Sequence, residues 1–253
     1  EQALDEVKAD KNSKGFIMFS HKPDCFLAGM DVEVISSLSS ELEAAQGCEA
    51  GQNVFNKIED LKVPTMVLID GICLGGGLEM SLACDRIMCS DSKKTAMGLP
   101  EVMLGVLPGF GGTYRLPKKI GLTGSLDLLL SGKQVRAKKA KKIGLADFVM
   151  PSEIMLEKAP EYLFKKIPDN KSFQESFTEA ASENFLARGV IFRKARQKVL
   201  EMSKGFYPAP LKILEHLEKS FGKNRTTYLS NEAQAFGELS LSLIHISEPT
   251  RRS

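Results

Sequence analysis

The sequence lacks the motifs on which several common enzyme classes depend. Its 253 residues include only three histidines, and none of them accompanies a GxSxG elbow, so a Ser-His-Asp hydrolase is not supported. There is no GxxxxGK phosphate loop, and the glycines of residues 71–77 lack the GxGxxG spacing of a dinucleotide site. No cluster of metal-ligating residues is visible, so we expect no metal site.

Long apolar runs and an excess of one charge are absent as well. No run approaches the ~18–20 residues of a membrane helix, and the first ten residues have no signal-peptide character. With 34 Lys and Arg against 32 Asp and Glu, the net charge of +2 gives no reason to expect nucleic acid or an anionic membrane as partner. The cysteines are odd in number and form no CxxC pair, which indicates reduced thiols in a reducing compartment: Cys25, Cys48, Cys73, Cys84 and Cys89.

The first part of the chain alternates strand-like and helix-like stretches. Apolar runs at residues 15–20, 66–71 and 86–89 predict strands, and apolar residues at helical spacing over 54–61 and 78–84 predict helices. This alternation favours an α/β fold with parallel pairing. After Pro151 the pattern is helical only, so we predict a core at residues 1–150 and a C-terminal helical region at 151–240.

Both ends of the chain are unusual. Ala3, Leu4 and Val7 lie at helical spacing among charges, so the chain is expected to begin inside an amphipathic helix whose true start lies upstream. Residues 241–253, LSLIHISEPTRRS, break the register of the preceding helix and look like a translated sequencing adaptor. We expect this segment to be an artefactual tail.

Glycines and one carboxylate mark the strongest candidate site. Gly75, Gly76 and Gly77 stand between a predicted strand and a predicted helix, where backbone N–H groups can face a ligand. The alternative is a loop that merely needs positive φ angles. Glu79 follows in an apolar string, and a carboxylate there is costly to bury unless it is used or paired. The alternative for Glu79 is a salt bridge to Arg86.

A second carboxylate, Glu101, lies 22 residues further along in another apolar setting. Two poorly solvated carboxylates can have different pKa values and divide acid and base roles, although spacing alone equally fits two unrelated glutamates. The Lys-rich residues 136–142 are expected to form a solvated helix face, with phosphate binding as a weaker alternative. Residues 108–113 are expected to form a turn that leads into a helix.

Four segments taken together resemble the crotonase superfamily: FLAGMD at 26–31, GICLGGGLE at 71–79, LPE at 99–101 and PGFGGT at 108–113. The resemblance covers nearly all of residues 1–240. It is closest to the hydratase region of the multifunctional alpha subunits of bacterial fatty-acid oxidation complexes and of the mitochondrial trifunctional protein. Residues 205–210 and 236–239 look like the helices that lead from this region to a 3-hydroxyacyl-CoA dehydrogenase domain.

The resemblance implies the crotonase fold of repeated β-β-α units, here truncated at its N-terminus, with a C-terminal helical region. It implies hydration of 2-enoyl-CoA to 3-hydroxyacyl-CoA in fatty-acid beta-oxidation, with no cofactor beyond the coenzyme A that carries the substrate. Glu79 and Glu101 would be the catalytic carboxylates, and the N–H groups of Met30 and Gly76 would form the oxyanion hole. The residues expected to contact substrate are Ala28, Gly29, Gly75, Pro100 and Gly109.

Several alternatives stay open. A Δ3,Δ2-enoyl-CoA isomerase would use the same pocket, and an inactive fragment or docking module would instead present residues 151–240 to a complex. The implied partners are an acyl-CoA substrate and a thiolase beta subunit, in an oligomer in the bacterial cytoplasm or the mitochondrial matrix. The family usually has a small residue where Met30 stands, which predicts a narrower acyl pocket. Its earlier strands and the dehydrogenase domain are not in this sequence, so we expect a piece of a longer protein.

Overall fold

Three consecutive pairs of strands, each followed by a helix, build most of the fold. The computed structural model describes residues 1–29, 38–166, 184–203 and 207–247, with residues 185, 186 and 241–247 as backbone only. After helix α1 (Gln2–Ala9), the first unit has β1 (Phe16–Met18), β2 (Cys25–Leu27) and α2 (Glu41–Glu59). The second has β3 (Thr65–Ile69), β4 (Ile72–Leu74) and α3 (Gly76–Leu82). The third has β5 (Arg86–Ser90), β6 (Ala96–Gly98), a 3-10 turn (Glu101–Leu104) and α4 (Gly112–Ser131).

The two strands of each unit go to different sheets. The first strands, with β8 (Phe148–Met150), form a parallel sheet in the order β1-β3-β5-β8. The second strands, with β7 (Val135–Arg136), form the sheet β2-β4-β6-β7, in which β7 is antiparallel to β6. The strands predicted at 15–20, 66–71 and 86–89 are confirmed as β1, β3 and β5. The strands β2, β4, β6, β7 and β8 were not predicted.

The first sheet is covered on both faces, which explains the unbroken apolar runs of β3 and β5. Side chains alternate between the faces of a strand. Val67 and Ile69 of β3 therefore pack into the main core, whereas Met66 and Leu68 pack into a second cluster. Helix α6 (Ser152–Phe164) closes that second cluster. Strands buried on both faces are expected to be continuously apolar, as in other parallel sheets.

The C-terminal helices belong to the same core. Helix α5 (Ala137–Lys142) buries its alanines and leaves its lysines exposed, as predicted for a solvated face. After α6 come α7 (Phe185–Ser203), α8 (Pro208–Ser220) and α9 (Arg225–Ser247), and α9 packs along α2. No helix in the described ranges is both long and apolar enough to cross a membrane. The division at Pro151 and the boundary of the tail at residue 240 stay predictions.

Candidate active site

Glu79 is held by the turn that precedes α4. It lies in the first turn of α3 with only 2% of its surface exposed. The backbone N–H groups of Phe110 and Gly112 both donate to its Oε1, each at 2.8 Å. The alternative ion pair with Arg86 is wrong, because that guanidinium donates to the carbonyl of Lys165 at 2.6 Å. A carboxylate is tolerated in this apolar setting because two oriented N–H donors replace part of its hydration.

The start of α3 brings a glycine backbone against the second carboxylate. Gly75 has a φ of 55° and its carbonyl accepts the N–H groups of Leu78 and Glu79. The N–H of Gly76 is left without an intrahelical acceptor, as expected for the first residue of a helix. A Cβ on Gly75 would lie 2.9 Å from Oε1 of Glu101. Glycine is thus required here both for its positive φ and for the approach of Glu101.

Glu101 begins the 3-10 turn, and Pro100 precedes it as the N-cap residue. Its Oε2 is buried and has no hydrogen-bond partner among the described residues. A buried, unpartnered carboxyl oxygen is uncommon, and functional sites are one place where it occurs. The two glutamates predicted from the sequence therefore lie at the same end of α3 in different hydrogen-bonding environments.

Two further predicted residues lie beside this end of α3. A Cβ on Gly29 would lie 3.6 Å from the Cα of Gly75 and 3.7 Å from the nitrogen of Gly76. Ala28 precedes it and is exposed. Because Gly29 has a φ of 90°, the chain after β2 turns directly against the glycine cluster. Met30, the predicted second oxyanion donor, lies outside the described residues.

Gly109 occupies a different environment. It is buried, and a Cβ there would lie 2.6 Å from Sγ of Cys48 and 3.0 Å from the ring of Phe236. Its carbonyl accepts a hydrogen bond from Nε2 of Gln52 at 2.9 Å. These close contacts leave no room for a side chain at residue 109, which explains the glycine there. Substrate contact by Gly109 stays a prediction.

Burial perturbs the acid–base properties of both predicted carboxylates. Burial raises the pKa of Glu79 well above its ordinary value, and the charges of Glu101 and Glu232 raise that pKa further, whereas the N–H groups of Gly112 and Phe110 lower it. Burial raises the pKa of Glu101 to about 7. Because these carboxyls interact, they titrate as a linked set.

A third buried carboxylate, Glu232, was not predicted. It lies on α9 with no exposed surface, and burial raises its pKa to about 7. Its Oε1 accepts the N–H of Gly111 at 2.6 Å, and its Oε2 accepts the N–H of Thr113 at 3.0 Å. The Thr113 hydroxyl also donates to Oε2, and Gln52 donates to Oε1 at 3.1 Å. Glu79 and Glu232 thus bind alternate N–H groups of one turn.

The sequence did carry a signal for Glu232. Its helical neighbours at i−4, i−3, i+1 and i+4 are Tyr228, Leu229, Ala233 and Phe236, and all four are buried. A glutamate in the middle of such an apolar face is as unexpected as Glu79 on α3. Within the described residues, no group of three or more His, Cys, Asp or Glu side chains could hold a metal ion.

The family described as enoyl-CoA hydratase/isomerase matches residues 1–206. The chain is 41% identical over 242 residues to the fatty acid oxidation complex subunit alpha of Shewanella frigidimarina, covering 95% of this chain and 34% of that protein. The corresponding subunit of Vibrio parahaemolyticus is 43% identical over 237 residues, again over 34% of its length. The chain thus spans about a third of these curated relatives.

The fold also matches solved structures. A crystal structure of an enoyl-CoA hydratase from Bacillus anthracis superimposes with a TM-score of 0.60 at 25% identity, covering 98% of this chain and 79% of that one. The expected fold of repeated β-β-α units followed by C-terminal helices is therefore confirmed.

Proposed function

Because the chain belongs to the enoyl-CoA hydratase/isomerase family, we propose that it is the hydratase region of a fatty-acid oxidation alpha subunit and adds water to 2-enoyl-CoA thioesters. In this proposal Glu79 acts as the general base and Glu101 as the general acid. The product is a 3-hydroxyacyl-CoA.

The observation that carries the proposal is the unequal hydrogen bonding of the two carboxyls. Two N–H groups donate to Oε1 of Glu79, which favours its ionised form. No described group donates to Oε2 of Glu101, which favours a proton on that carboxyl. Two neighbouring buried carboxyls with such different donors can divide the base and acid roles that addition of water requires.

The reaction follows from this division. Among the described residues no hydrogen bond reaches Oε2 of Glu79, so that oxygen is available to accept a proton from a water molecule. As the water oxygen forms its bond to C3, the electrons of the C2–C3 double bond move toward the thioester carbonyl. The proton of Glu101 then forms the new C–H bond at C2. Glu79 then releases to solvent the proton that it took from water, and Glu101 takes up a proton from solvent, which restores the site.

Backbone N–H groups would stabilise the negative charge that develops on the thioester oxygen. The N–H of Gly76 has no intrahelical acceptor, which supports its role as one donor of an oxyanion hole, and Met30 is the proposed second donor. Removal of one such donor typically costs ~10²–10³ in rate. Ala28, Gly29, Gly75, Pro100 and Gly109 are the proposed substrate contacts.

The assembly is part of the same proposal. The two curated relatives are named as subunits of a fatty acid oxidation complex. We propose that the protein that contains this chain binds a thiolase beta subunit and forms an oligomer, in the cytoplasm of a bacterium or in the mitochondrial matrix. Besides water, the coenzyme A thioester is the only non-protein component that the proposed reaction needs.

The test is hydration of crotonyl-CoA by the 253-residue chain and by Glu79→Gln and Glu101→Gln. Glutamine keeps the size of each side chain and removes its proton transfer. We expect kcat to fall by ~10²–10⁴ in each variant, the range for loss of a general acid or base, with binding of the CoA ester kept. The exposed Glu153→Gln on α6 is the control. Near-full activity in either active-site variant contradicts the two-carboxylate mechanism. If the parent chain converts a 3-enoyl-CoA to the 2-enoyl-CoA but does not hydrate crotonyl-CoA, it is an isomerase.

A further inference from the structure

We propose that Glu232 is a positioning residue that fixes the N–H groups by which the turn at residues 110–113 orients Glu79. The proposal rests on the hydratase function proposed above. It assigns to α9, in the C-terminal helical region, a direct part in building the catalytic site.

The alternation of contacts is the first support. The N–H groups of Phe110 and Gly112 donate to Glu79, and those of Gly111 and Thr113 donate to Glu232. Successive N–H groups of this turn therefore point to two carboxylates on different helices. The rigid peptide units that carry the N–H groups of Gly111 and Thr113 flank the unit that carries the N–H of Gly112 and share a Cα with it on each side. Their anchoring by Glu232 therefore restricts the φ and ψ changes that could turn the N–H of Gly112 away from Glu79.

The carbonyl groups of the turn are fixed too. Gln52 donates to the carbonyl of Gly109 at 2.9 Å, and the Arg115 guanidinium donates to that of Phe110 at 3.1 Å. The phenol of Tyr228 donates to the carbonyl of Thr113 at 2.8 Å. Side chains from α2, α4 and α9 thus anchor one short segment, and Glu232 anchors the two N–H groups that do not bind Glu79.

The surroundings of Glu232 are themselves ordered by α8 and α9. Thr113 Oγ1, which binds Glu232, lies 2.8 Å from Nε2 of His216, and Nδ1 of His216 lies 3.4 Å from Oγ of Ser220. Asn231 donates to the Ser220 oxygen at 3.0 Å. Such a connected polar network holds each member in one orientation. The position of Glu79 therefore depends on helices that follow residue 207.

A comparison of Glu232→Gln with the parent chain tests this role of Glu232. Glutamine preserves volume, but its NH₂ group must face either the N–H of Gly111 or the N–H and hydroxyl of Thr113. One anchor is then lost without creating a cavity. Glu238→Gln is the matched control, because Glu238 lies on the same helix and pairs with Lys212 at 2.5 Å, outside the turn.

The decisive readout is the amide proton of Phe110 and of Gly112, observed by NMR with the chain labelled with ¹⁵N. In Glu232→Gln we expect both resonances to move upfield and their exchange with solvent to accelerate by about tenfold or more, while Glu238→Gln leaves them unchanged. Unchanged shifts and exchange at both amides would overturn the proposal. This readout needs no catalysis, so it stays decisive if the chain does not hydrate crotonyl-CoA and the proposed function fails.

Kinetics supply a second readout if hydration is observed. Displacement of a catalytic group by about 1 Å can cost ~10²-fold, so we expect kcat to fall by about 10- to 100-fold at unchanged KM in Glu232→Gln. Thr113→Val replaces the hydroxyl that donates to Glu232 and contacts Nε2 of His216 with a methyl group, and it serves if Glu232→Gln does not fold. It should move the same two amide signals in the same direction by a smaller amount, and unchanged signals there would equally refute the role of Glu232.

Discussion

Replacement of Glu101 by glutamine should stabilise the protein, and the gain should grow with pH. The carboxyl has a buried oxygen without a partner in the described part of the chain, and burial raises its pKa from 4.5 to about 7. The folded protein therefore holds this proton more tightly than the unfolded chain does. The resulting contribution to stability is complete below pH 4.5 and is lost as the pH rises through 7. Glutamine does not titrate, so its contribution to the free energy of unfolding does not fall as the pH rises.

The magnitude follows from the two pKa values. Each pKa unit corresponds to about 1.4 kcal/mol, so the difference between 4.5 and about 7 corresponds to about 3 kcal/mol. Between about pH 5 and about pH 8.5, the free energy of unfolding of Glu101→Gln should rise relative to the parent by about 2–3 kcal/mol. A buried functional site lowers the stability of a protein in this way when activity requires an unpaired polar group.

Urea unfolding at these two pH values measures the effect. The exposed Glu153→Gln serves as the reference, and its difference from the parent should not change with pH by more than about 0.5 kcal/mol. A Glu101→Gln difference that is the same at both pH values would show that the folded protein has no preference for the protonated carboxyl of Glu101.

Three further substitutions probe the frame of the site. Gly112→Ala places a Cβ 2.8 Å from Oε1 of Glu79, so hydration of crotonyl-CoA should fall by ~10²-fold, and normal kcat would contradict the assigned contact. Gly47→Ala, in α2 with open space around it, should raise the free energy of unfolding by about 0.5–1 kcal/mol in a urea titration at unchanged activity. Arg115→Ala removes a buried guanidinium that binds the partly exposed Glu59 and should lower that free energy by about 1.5–3 kcal/mol, whereas a change below about 1 kcal/mol would show that this contact is not needed.

The strands that were predictable from the sequence are those with five-residue or otherwise continuous apolar runs. β3 and β5 are buried on both faces, so their composition alone identifies them. β4 has three residues between Gly71 and Gly75 and looks like part of a glycine loop. It pairs with β2 and β6, and a pairing between distant segments leaves little trace in so short a stretch.

The candidate site shows the same limit. Glu79 and Glu101 were identifiable because each is a charge in an apolar string, and the family resemblance separated them from the alternatives. Arg86 would lie on the same helix face as Glu79 only if the helix continued that far, but α3 ends at Leu82. The donors that replace it are backbone N–H groups more than 30 residues away, and no side-chain pattern encodes those.

Glu232 was missed for a different reason. The apolar face around it on α9 is visible in the sequence, but the segment lies 153 residues from Glu79 and outside the motifs that carry the resemblance. Only the packing of α9 along α2 brings it to the turn at residues 110–113. A buried carboxylate on an apolar helix face merits attention as a site residue even where no motif surrounds it.

Isotope labelling of the product shows whether the chain adds water across the C2–C3 double bond with Glu101 as the acid. The chain is incubated with crotonyl-CoA in H₂¹⁸O and, separately, in D₂O, and the CoA thioester is analysed by mass spectrometry. We expect one ¹⁸O at C3 and one deuterium at C2, and loss of both labels in Glu101→Gln. Substrate recovered without ¹⁸O at C3 from the parent chain, or full labelling by Glu101→Gln, would contradict this expectation.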